Sequence, residues 1–253
     1  MSILDETGAF RFREFVAHLI ELRRRLLYVA LAICATFMAL LPFANSLFGL
    51  LAAPMIAALP HGGGLIATRV TTTFIVPLKV AFLIALFLTA PFTLYQLWAF
   101  VAPGLYRRER QHVGFSLVAA IALFYAGVVF CYAVILPLAF RFFDHVAPAG
   151  VRVMTDIASY LTFTLHLMLA FGLVFETPVV ITLLVALGLV RLSTLERHRR
   201  YAFLICFVIA AFVAPPDALS MILLGTPMYL LYELGILLSR RLRPVPESAH
   251  PLR

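Results

Sequence analysis

Residues 15–26 read FVAHLIELRRRL and run without a break into an uncharged stretch that extends from Leu26 to Thr68. On a helical period this segment has one apolar face and one polar face. We expect it to lie as a helix along a membrane surface before the chain turns into the membrane, with its three consecutive arginines at the level of the lipid phosphates. The apolar face carries Phe12, Phe15, Leu19, Leu22 and Leu26, and the polar face carries Glu14, His18, Glu21 and Arg25.

The composition indicates an integral membrane protein. Of the 253 residues, 63% are hydrophobic and 13% are charged, and the mean hydropathy is +1.02, which lies outside the range of soluble domains. Because each crossing needs about 20 apolar residues, the uncharged windows predict an all-α fold with six transmembrane helices, the fifth and sixth of them short. The chain, 1–253, is one membrane domain with predicted spans at 24–43, 77–101, 113–137, 159–188, 200–214 and 218–238 and a cytoplasmic tail at 239–253.

The basic residues predict the orientation of the spans. If both termini are cytoplasmic, sixteen of the 20 lysine and arginine residues fall on that side, and only Arg69, Lys79, Arg141 and Arg152 fall on the other. This distribution follows the positive-inside rule in every loop. The net charge of +8 is therefore mainly a signal of topology, and binding of nucleic acid is excluded because it needs a large basic surface.

The sequence lacks the usual patterns of enzymes and metal sites. Cys34, Cys131 and Cys206 stand singly inside predicted spans, and the histidines are scattered, so neither a disulfide framework nor a metal motif is indicated. No phosphate-binding glycine loop and no nucleophile with a neighbouring base is present, so we expect no cofactor, no metal and no enzymatic activity. The absence of a cleavable signal and of an organelle presequence points to the cytoplasmic (inner) membrane of a prokaryote.

Two acidic residues stand inside basic clusters on the predicted cytoplasmic face. Glu21 precedes three arginines, and it is available to Arg25 or to a cationic group that arrives from outside. Glu109 lies among the arginines of the loop at 101–112. One interpretation is local charge balance, which contributes only a few tenths of a kcal/mol on an exposed helix. The other is a surface that recognises a cationic partner.

A third acid, Glu176, lies within the fourth predicted span and is followed by Thr177 and Pro178. A charged carboxylate at the centre of a span costs roughly 2.5–3.5 kcal/mol. Pro178 frees the carbonyl of Val174 and breaks the helix beside the acid, so we expect the kink and the carboxylate to form one feature that faces a wet cavity or a partner. The alternative is a protonated or hydrogen-bonded glutamate inside the bundle.

Other features of the spans and loops predict structural roles. The segment at 44–76 is expected to cap the outer surface, with a short helix from Leu47 to Leu59. Pro91 is expected to kink the second span, since proline removes a backbone hydrogen bond. His166 is expected to be a packed polar residue and not a proton relay.

Four separated segments carry a resemblance to a known family. They are HLIELRRRL at 18–26, APF at 90–92 with YQLWAFVAPGLY at 95–106, FG at 171–172 with FETP at 175–178, and PPD at 215–217. In this order they resemble the TatC family, the polytopic subunit of the twin-arginine, Sec-independent protein translocase. The resemblance covers about residues 12–240.

The resemblance implies a fold, a function and partners. The fold has six transmembrane helices in a cupped bundle with both termini in the cytoplasm. The function is to receive folded precursor proteins whose signal peptide carries two adjacent arginines, in a multimeric complex with the single-span subunits TatA and TatB, using the proton-motive force. Lipids of the membrane are the remaining partners.

The resemblance also implies roles for individual residues. Glu21 and Glu109 would contact the arginines of the signal peptide, with Arg23, Gln96 and Phe100 shaping the surface. Glu176, with Pro178, would be the intramembrane polar site near the partner helices, and Pro54 and Asp217 match positions important on the external side. The positions where the family often carries polar residues for docking a partner helix are here Ala211, Ala214 and Met221, so we expect van der Waals packing to replace polar docking there.

The competing hypothesis from the residues alone is a small-solute, proton-coupled secondary transporter with Glu176 as the proton site. Such folds are often built from internal repeats. The three predicted hairpins differ in length and motif, which disfavours this hypothesis.

Overall fold

The structure, a computed structural model, describes residues 3–58, 71–101, 113–139, 156–213 and 218–241. Within these ranges the chain is helical and contains no strand. The helices are α1 (Ile3–Leu40), α2 (Ala44–Ala58), α3 (Thr72–Val101), α4 (Val113–Phe130), α5 (Ile157–Phe175), α6 (Thr177–Ala186), α7 (Leu192–Arg197), α8 (Arg199–Val213) and α9 (Ala218–Arg241), with a 3-10 turn at Leu41–Phe43 and a π-helical segment at Cys131–Ile135.

Five helical segments of the described residues are long and apolar enough to cross a membrane, which makes the chain a multi-pass helical membrane protein. They are His18–Leu51, Thr72–Phe100, Ser116–Ala139, Ile157–Ala186 and Met221–Arg241. The remaining predicted span, 200–214, corresponds to α8, whose 15 residues reach about 22 Å, less than the roughly 30 Å of hydrocarbon. Six crossings and the side on which the termini lie stay predictions.

Only one of the two helices predicted to be short is short. The sixth predicted span, 218–238, is part of α9, which has 24 residues and is therefore about 36 Å long. The helix continues to Arg241 because no proline stands between Glu233 and Arg241, and Gly235, a weak helix former, packs against α6.

The opening segment is not a separate surface helix that then turns inward. Helix α1 is continuous from Ile3 to Leu40, because no glycine or proline stands between Ala9 and Leu40 to interrupt it. The chain changes to a 3-10 turn only where Pro42 occurs, and α2 follows directly. The short helix predicted at Leu47 to Leu59 is thus present as α2.

Helix α3 continues through Pro77 and Pro91, and the kink expected at Pro91 stays a prediction. Proline has no N–H to donate to the carbonyl four residues earlier, which for Pro91 is that of Phe87. The hydroxyl of Tyr125, on α4, donates to this oxygen at 2.9 Å. A side chain from the neighbouring helix therefore supplies the missing hydrogen bond.

Two glycines allow α4 and α5 to pack closely. A Cβ atom at Gly127 would lie 2.6 Å from the carbonyl oxygen of Phe171, and one at Gly172 would lie 2.8 Å from the ring of Phe124. Phe171 is 1% exposed. Small residues at such contacts let helix backbones approach each other in a membrane.

The predicted break in the fourth span is confirmed. Helix α5 ends at Phe175, Glu176 lies between the two helices, and Pro178 occupies the first turn of α6, where proline is well accepted. Helix α9 lies against this start of α6, since a Cβ at Gly235 would be 3.0 Å from the Cα of Pro178.

Candidate functional site

One guanidinium group joins an acid on α1 to an amide on α3. Arg25 donates to Oε1 of Glu21 from Nε at 3.0 Å and from Nη2 at 2.5 Å, and from Nη1 to Oε1 of Gln96 at 3.1 Å. Glu21 and Arg25 are one helical turn apart, so their pairing is local. The contact with Gln96 depends on how α1 and α3 pack.

An aromatic contact lies beside this network. The rings of His18 and Phe100 are stacked, with centroids 4.1 Å apart and an interplanar angle of 27°. His18 precedes Glu21 by three residues and Phe100 follows Gln96 by four, so each helix contributes neighbouring positions of one face. We call His18, Glu21, Arg25, Gln96 and Phe100 together the α1–α3 surface.

The α1–α3 surface brings together three of the residues that the sequence singled out, namely Glu21, Gln96 and Phe100. It also contains Arg25, whose pairing with Glu21 is thereby confirmed, and His18, to which the sequence assigned no role. The sequence did carry a signal for His18 and Arg25, because both residues lie on the polar face of the amphipathic segment. The side chain of Glu21 is 39% exposed, so the carboxylate is accessible to a ligand.

Arg23 does not lie on the α1–α3 surface. Two residues along a helix turn the side chain by about 200°, so Arg23 points away from Glu21. It lines a shallow groove on that other side of α1, together with apolar residues that include Leu19, Leu26 and Ala30. A role for Arg23 at the same site as Glu21 thus requires a ligand that reaches around the helix.

Glu176 is enclosed within the bundle, with 8% exposure. Its Oε1 atom has no hydrogen-bond partner in the described part of the chain. The preceding residue, Phe175, contacts the ring of Phe130 with centroids 5.6 Å apart, so aromatic rings cover one side of the break. A buried polar atom without a partner is destabilising, which makes Glu176 an acceptor that the described residues do not use.

The positions predicted to dock a partner helix are apolar where they are described. Ala211 is exposed on α8 and Met221 is half-buried on α9. Next to Ala211, Phe212 is 88% exposed, and Leu204, Ile205 and Val208 are also exposed. Pro54 lies within α2, but its side chain is outside the described residues, as are Glu109, Ala214 and Asp217.

A second polar network joins α7 and α8 to the end of α9, and sequence reasoning missed it. Glu233 binds Arg199 at 3.0 Å and accepts from the hydroxyl of Tyr229 at 2.9 Å. Arg240 binds Glu196 at 2.6 Å. The two ion pairs join residues 34 and 44 positions apart in the sequence, so no local pattern indicates them. Among the described residues, no group of three or more His, Cys, Asp or Glu side chains is placed so that it could hold a metal ion.

The fold and the α1–α3 surface define a multi-pass helical membrane protein with a charged surface between two helices and a buried acid at a helix break. The comparisons with known proteins identify the family. The model of the TatC family, described as Sec-independent protein translocase protein, matches residues 17–227, and the chain belongs to this family. Its members are subunits of a membrane translocase, so the chain is not an enzyme, and the transporter hypothesis is not favoured.

Individual relatives and solved structures agree with this family. The chain is 47% identical over 225 residues to the Sec-independent protein translocase protein TatC of Escherichia coli K12, a match that covers 89% of this chain and 87% of the relative. It is 42% identical over 249 residues to that of Haemophilus influenzae, covering 98% and 95%. The crystal structure of the twin arginine translocase receptor TatC superposes with a TM-score of 0.80 at 33% identity, covering 88% of this chain and 98% of that one.

Proposed function

We propose that this chain is the receptor subunit of the twin-arginine translocase. It binds the twin-arginine signal peptides of folded precursor proteins and, with TatA and TatB in a multimeric complex, moves them across the membrane using the proton-motive force. Membership of the TatC family supports this proposal, as does similarity to solved structures described as a translocase receptor. The observation that carries it is the guanidinium of Arg25 held between Glu21 and Gln96.

The Glu21 carboxylate already binds one guanidinium, so it has the geometry that an arginine of a signal peptide needs. The bond to Arg25 is easily exchanged, because a partly exposed pair one turn apart contributes only about 0.3–0.5 kcal/mol. An incoming arginine would form charge-assisted hydrogen bonds of the same kind. After exchange, Arg25 retains the Gln96 oxygen as an acceptor, so the displaced cation keeps a partner.

The second arginine of the signal peptide is assigned to Glu109. This loop acid lies 13 residues after Gln96 in the sequence, beyond the end of α3. Two acids on one surface suit two adjacent guanidiniums, since bidentate carboxylate pairing is a property of arginine and not of lysine. Phe100 contributes apolar surface on the same face as Glu21, and Arg23 contacts the more distant part of the peptide.

The remaining family assignments belong to the same proposal. Both termini lie in the cytoplasm, and the chain is in the inner membrane of a prokaryote. Glu176 with Pro178 forms the polar site where partner helices act, and the apolar positions Ala211, Ala214 and Met221 take part in docking through packing alone. Pro54 and Asp217 act on the external side.

Binding of a fluorescent signal peptide to the purified full-length protein tests the receptor role. A peptide with Arg-Arg is expected to bind more tightly than the same peptide with Lys-Lys, and Glu21→Gln is expected to remove most of the difference. Glu196→Gln is the matched control, because Glu196 is also a partly exposed acid paired with an arginine, but at the α7–α9 contact. Equal binding of both peptides, or equal effects of both variants, would contradict the proposal.

A further inference from the structure

A cleft of about 940 Å³ lies between the first two turns of α3 and most of the length of α5, a size within the usual range of ligand sites. Its lining changes along the depth of the membrane. Near the start of α5 it is polar, with Ser159, Thr162 and His166, and further along the same helix it is apolar, with Leu169 and Leu173. We call this site the α3–α5 cleft.

Lys79 supplies a positive charge to the α3–α5 cleft. It is the only lysine in the chain, it is exposed, and it lies seven residues after the start of α3, or about 10 Å along the helix. The ion pairs of the described residues do not include it. A cation at this depth of a membrane span is expensive unless an anion or water accompanies it.

His166 is exposed, not packed as the sequence suggested, and it adds a second polar group to the lining. Its Nδ1 atom is 2.6 Å from the carbonyl oxygen of Thr162. Because a carbonyl oxygen only accepts, Nδ1 carries the hydrogen, and Nε2 is the nitrogen that remains for a ligand. Nε2 donates a hydrogen bond to an anion when the imidazole is protonated.

Asp156 is the acidic residue of the lining, and its carboxylate is engaged at the helix terminus. Oδ2 accepts from the backbone N–H of Ser159 at 3.0 Å and from its hydroxyl at 2.9 Å. A carboxylate in this position caps α5 and is favoured by the helix dipole. The titratable groups among the described lining residues are therefore Asp156, His166 and Lys79. Helix α8 adds none, because the residue that it contributes is Phe212.

We propose that the α3–α5 cleft binds a glycerophospholipid from the leaflet at this end of the bundle. Its phosphate lies between Lys79 and His166, and an acyl chain follows Leu169 and Leu173. The order of polar, cationic and apolar residues along the depth matches the order of headgroup, phosphate and acyl chain in a lipid. A free phosphate ion would leave the apolar half of the cleft empty. On α3, the residues of this cleft lie at the opposite end of the helix from Gln96 and Phe100. Binding of a lipid in the cleft does not depend on binding of a signal peptide.

The single lysine makes a direct test possible. Reductive ¹³C-methylation of the full-length protein in detergent leaves one side-chain signal in the NMR spectrum besides that of the terminal amine, which serves as an internal control. Phosphatidylglycerol is expected to shift the Lys79 signal to saturation. Diacylglycerol with the same chains and inorganic phosphate are expected to leave it unchanged. An equal shift with diacylglycerol would show binding without phosphate recognition, and an equal shift with inorganic phosphate would show an anion site only; either would overturn the proposal.

Variants then identify the groups that hold the phosphate. Lys79→Gln is expected to weaken retention of phosphatidylglycerol in native mass spectrometry by about tenfold, as the loss of one charge-assisted hydrogen bond predicts, while Lys79→Arg keeps it. His166→Asn is expected to weaken the same retention, because asparagine is shorter than histidine and withdraws the Nε2 donor from the phosphate. His198→Asn is the matched control, because His198 makes the same bond to the carbonyl four residues earlier. Undiminished retention by the folded Lys79→Gln protein would contradict the assignment.

Discussion

The hydroxyl of Tyr125 donates a hydrogen bond of 2.9 Å to the carbonyl oxygen of Phe87, the group that Pro91 leaves without a backbone donor. Inside a bilayer no water is present to satisfy such a carbonyl. The bond therefore repairs α3 and joins it to α4 at the same time. A helix that contains proline in its interior can thus remain continuous when a neighbouring helix provides the donor.

Tyr125→Phe is expected to lower the free energy of unfolding by about 1–2 kcal/mol, because the Phe87 oxygen then stays buried without a partner. Thermal unfolding in detergent measures the change. The same substitution in a Pro91→Ala background should cost less, since the backbone N–H restored at position 91 donates to the Phe87 oxygen in place of the tyrosine. Equal losses in both backgrounds would contradict the repair of the helix by Tyr125.

Arg25→Gln is expected to strengthen binding of a twin-arginine peptide about twofold, because the competing ion pair with Glu21 is removed and it contributes only about 0.3–0.5 kcal/mol. Fluorescence anisotropy with the purified protein measures the affinity. Arg24→Gln is the control for the general loss of positive charge, since Arg24 bonds to the hydroxyl of Tyr28 at 2.8 Å and not to Glu21. An identical gain in both variants would show that net charge alone is responsible.

Gly127→Ala is expected to destabilise the protein by about 1–3 kcal/mol, because the added methyl group meets the backbone oxygen of Phe171 and overpacking of a tight contact forces the helices apart. Gly49→Ala, in α2, is the matched control. Nothing lies within 4 Å of a Cβ at Gly49, so this change is expected to be neutral or slightly stabilising. A stable Gly127→Ala protein would show that α4 and α5 can separate without loss.

Glu176→Gln is expected to keep or raise the melting temperature at alkaline pH while it lowers transport of a folded reporter. Removing a charge from a buried site with an unpartnered oxygen stabilises the fold, whereas the partner site loses its negative charge. Such a trade between stability and activity is typical of functional sites. Crosslinking yields to the single-span subunits in membranes measure the partner contact. A variant with full transport would remove Glu176 from the proposed partner site.

The sequence predicted the features that depend on neighbours along the chain. The α2 helix, the break beside Pro178 and the pair of Glu21 with Arg25 are all local, and each was confirmed. The expectation of a separate surface helix was wrong because charge patterning describes a helix face but does not interrupt a helix. The expected length of α9 was wrong for a related reason, since the arginines at its end are compatible with continued helix.

The sequence alone determined the class of protein, the positions of the helices and the family motifs. This is because hydropathy, proline and charge affect the structure within a few residues of where they occur. Only the tertiary structure decided which faces of those helices meet. A transmembrane helix is apolar on nearly every side, so its periodicity does not tell which side packs inward. The contacts of Arg25 with Gln96, of Tyr125 with Phe87, and of Lys79 and His166 with one cleft therefore emerge only when each helix has a definite rotation against its neighbours.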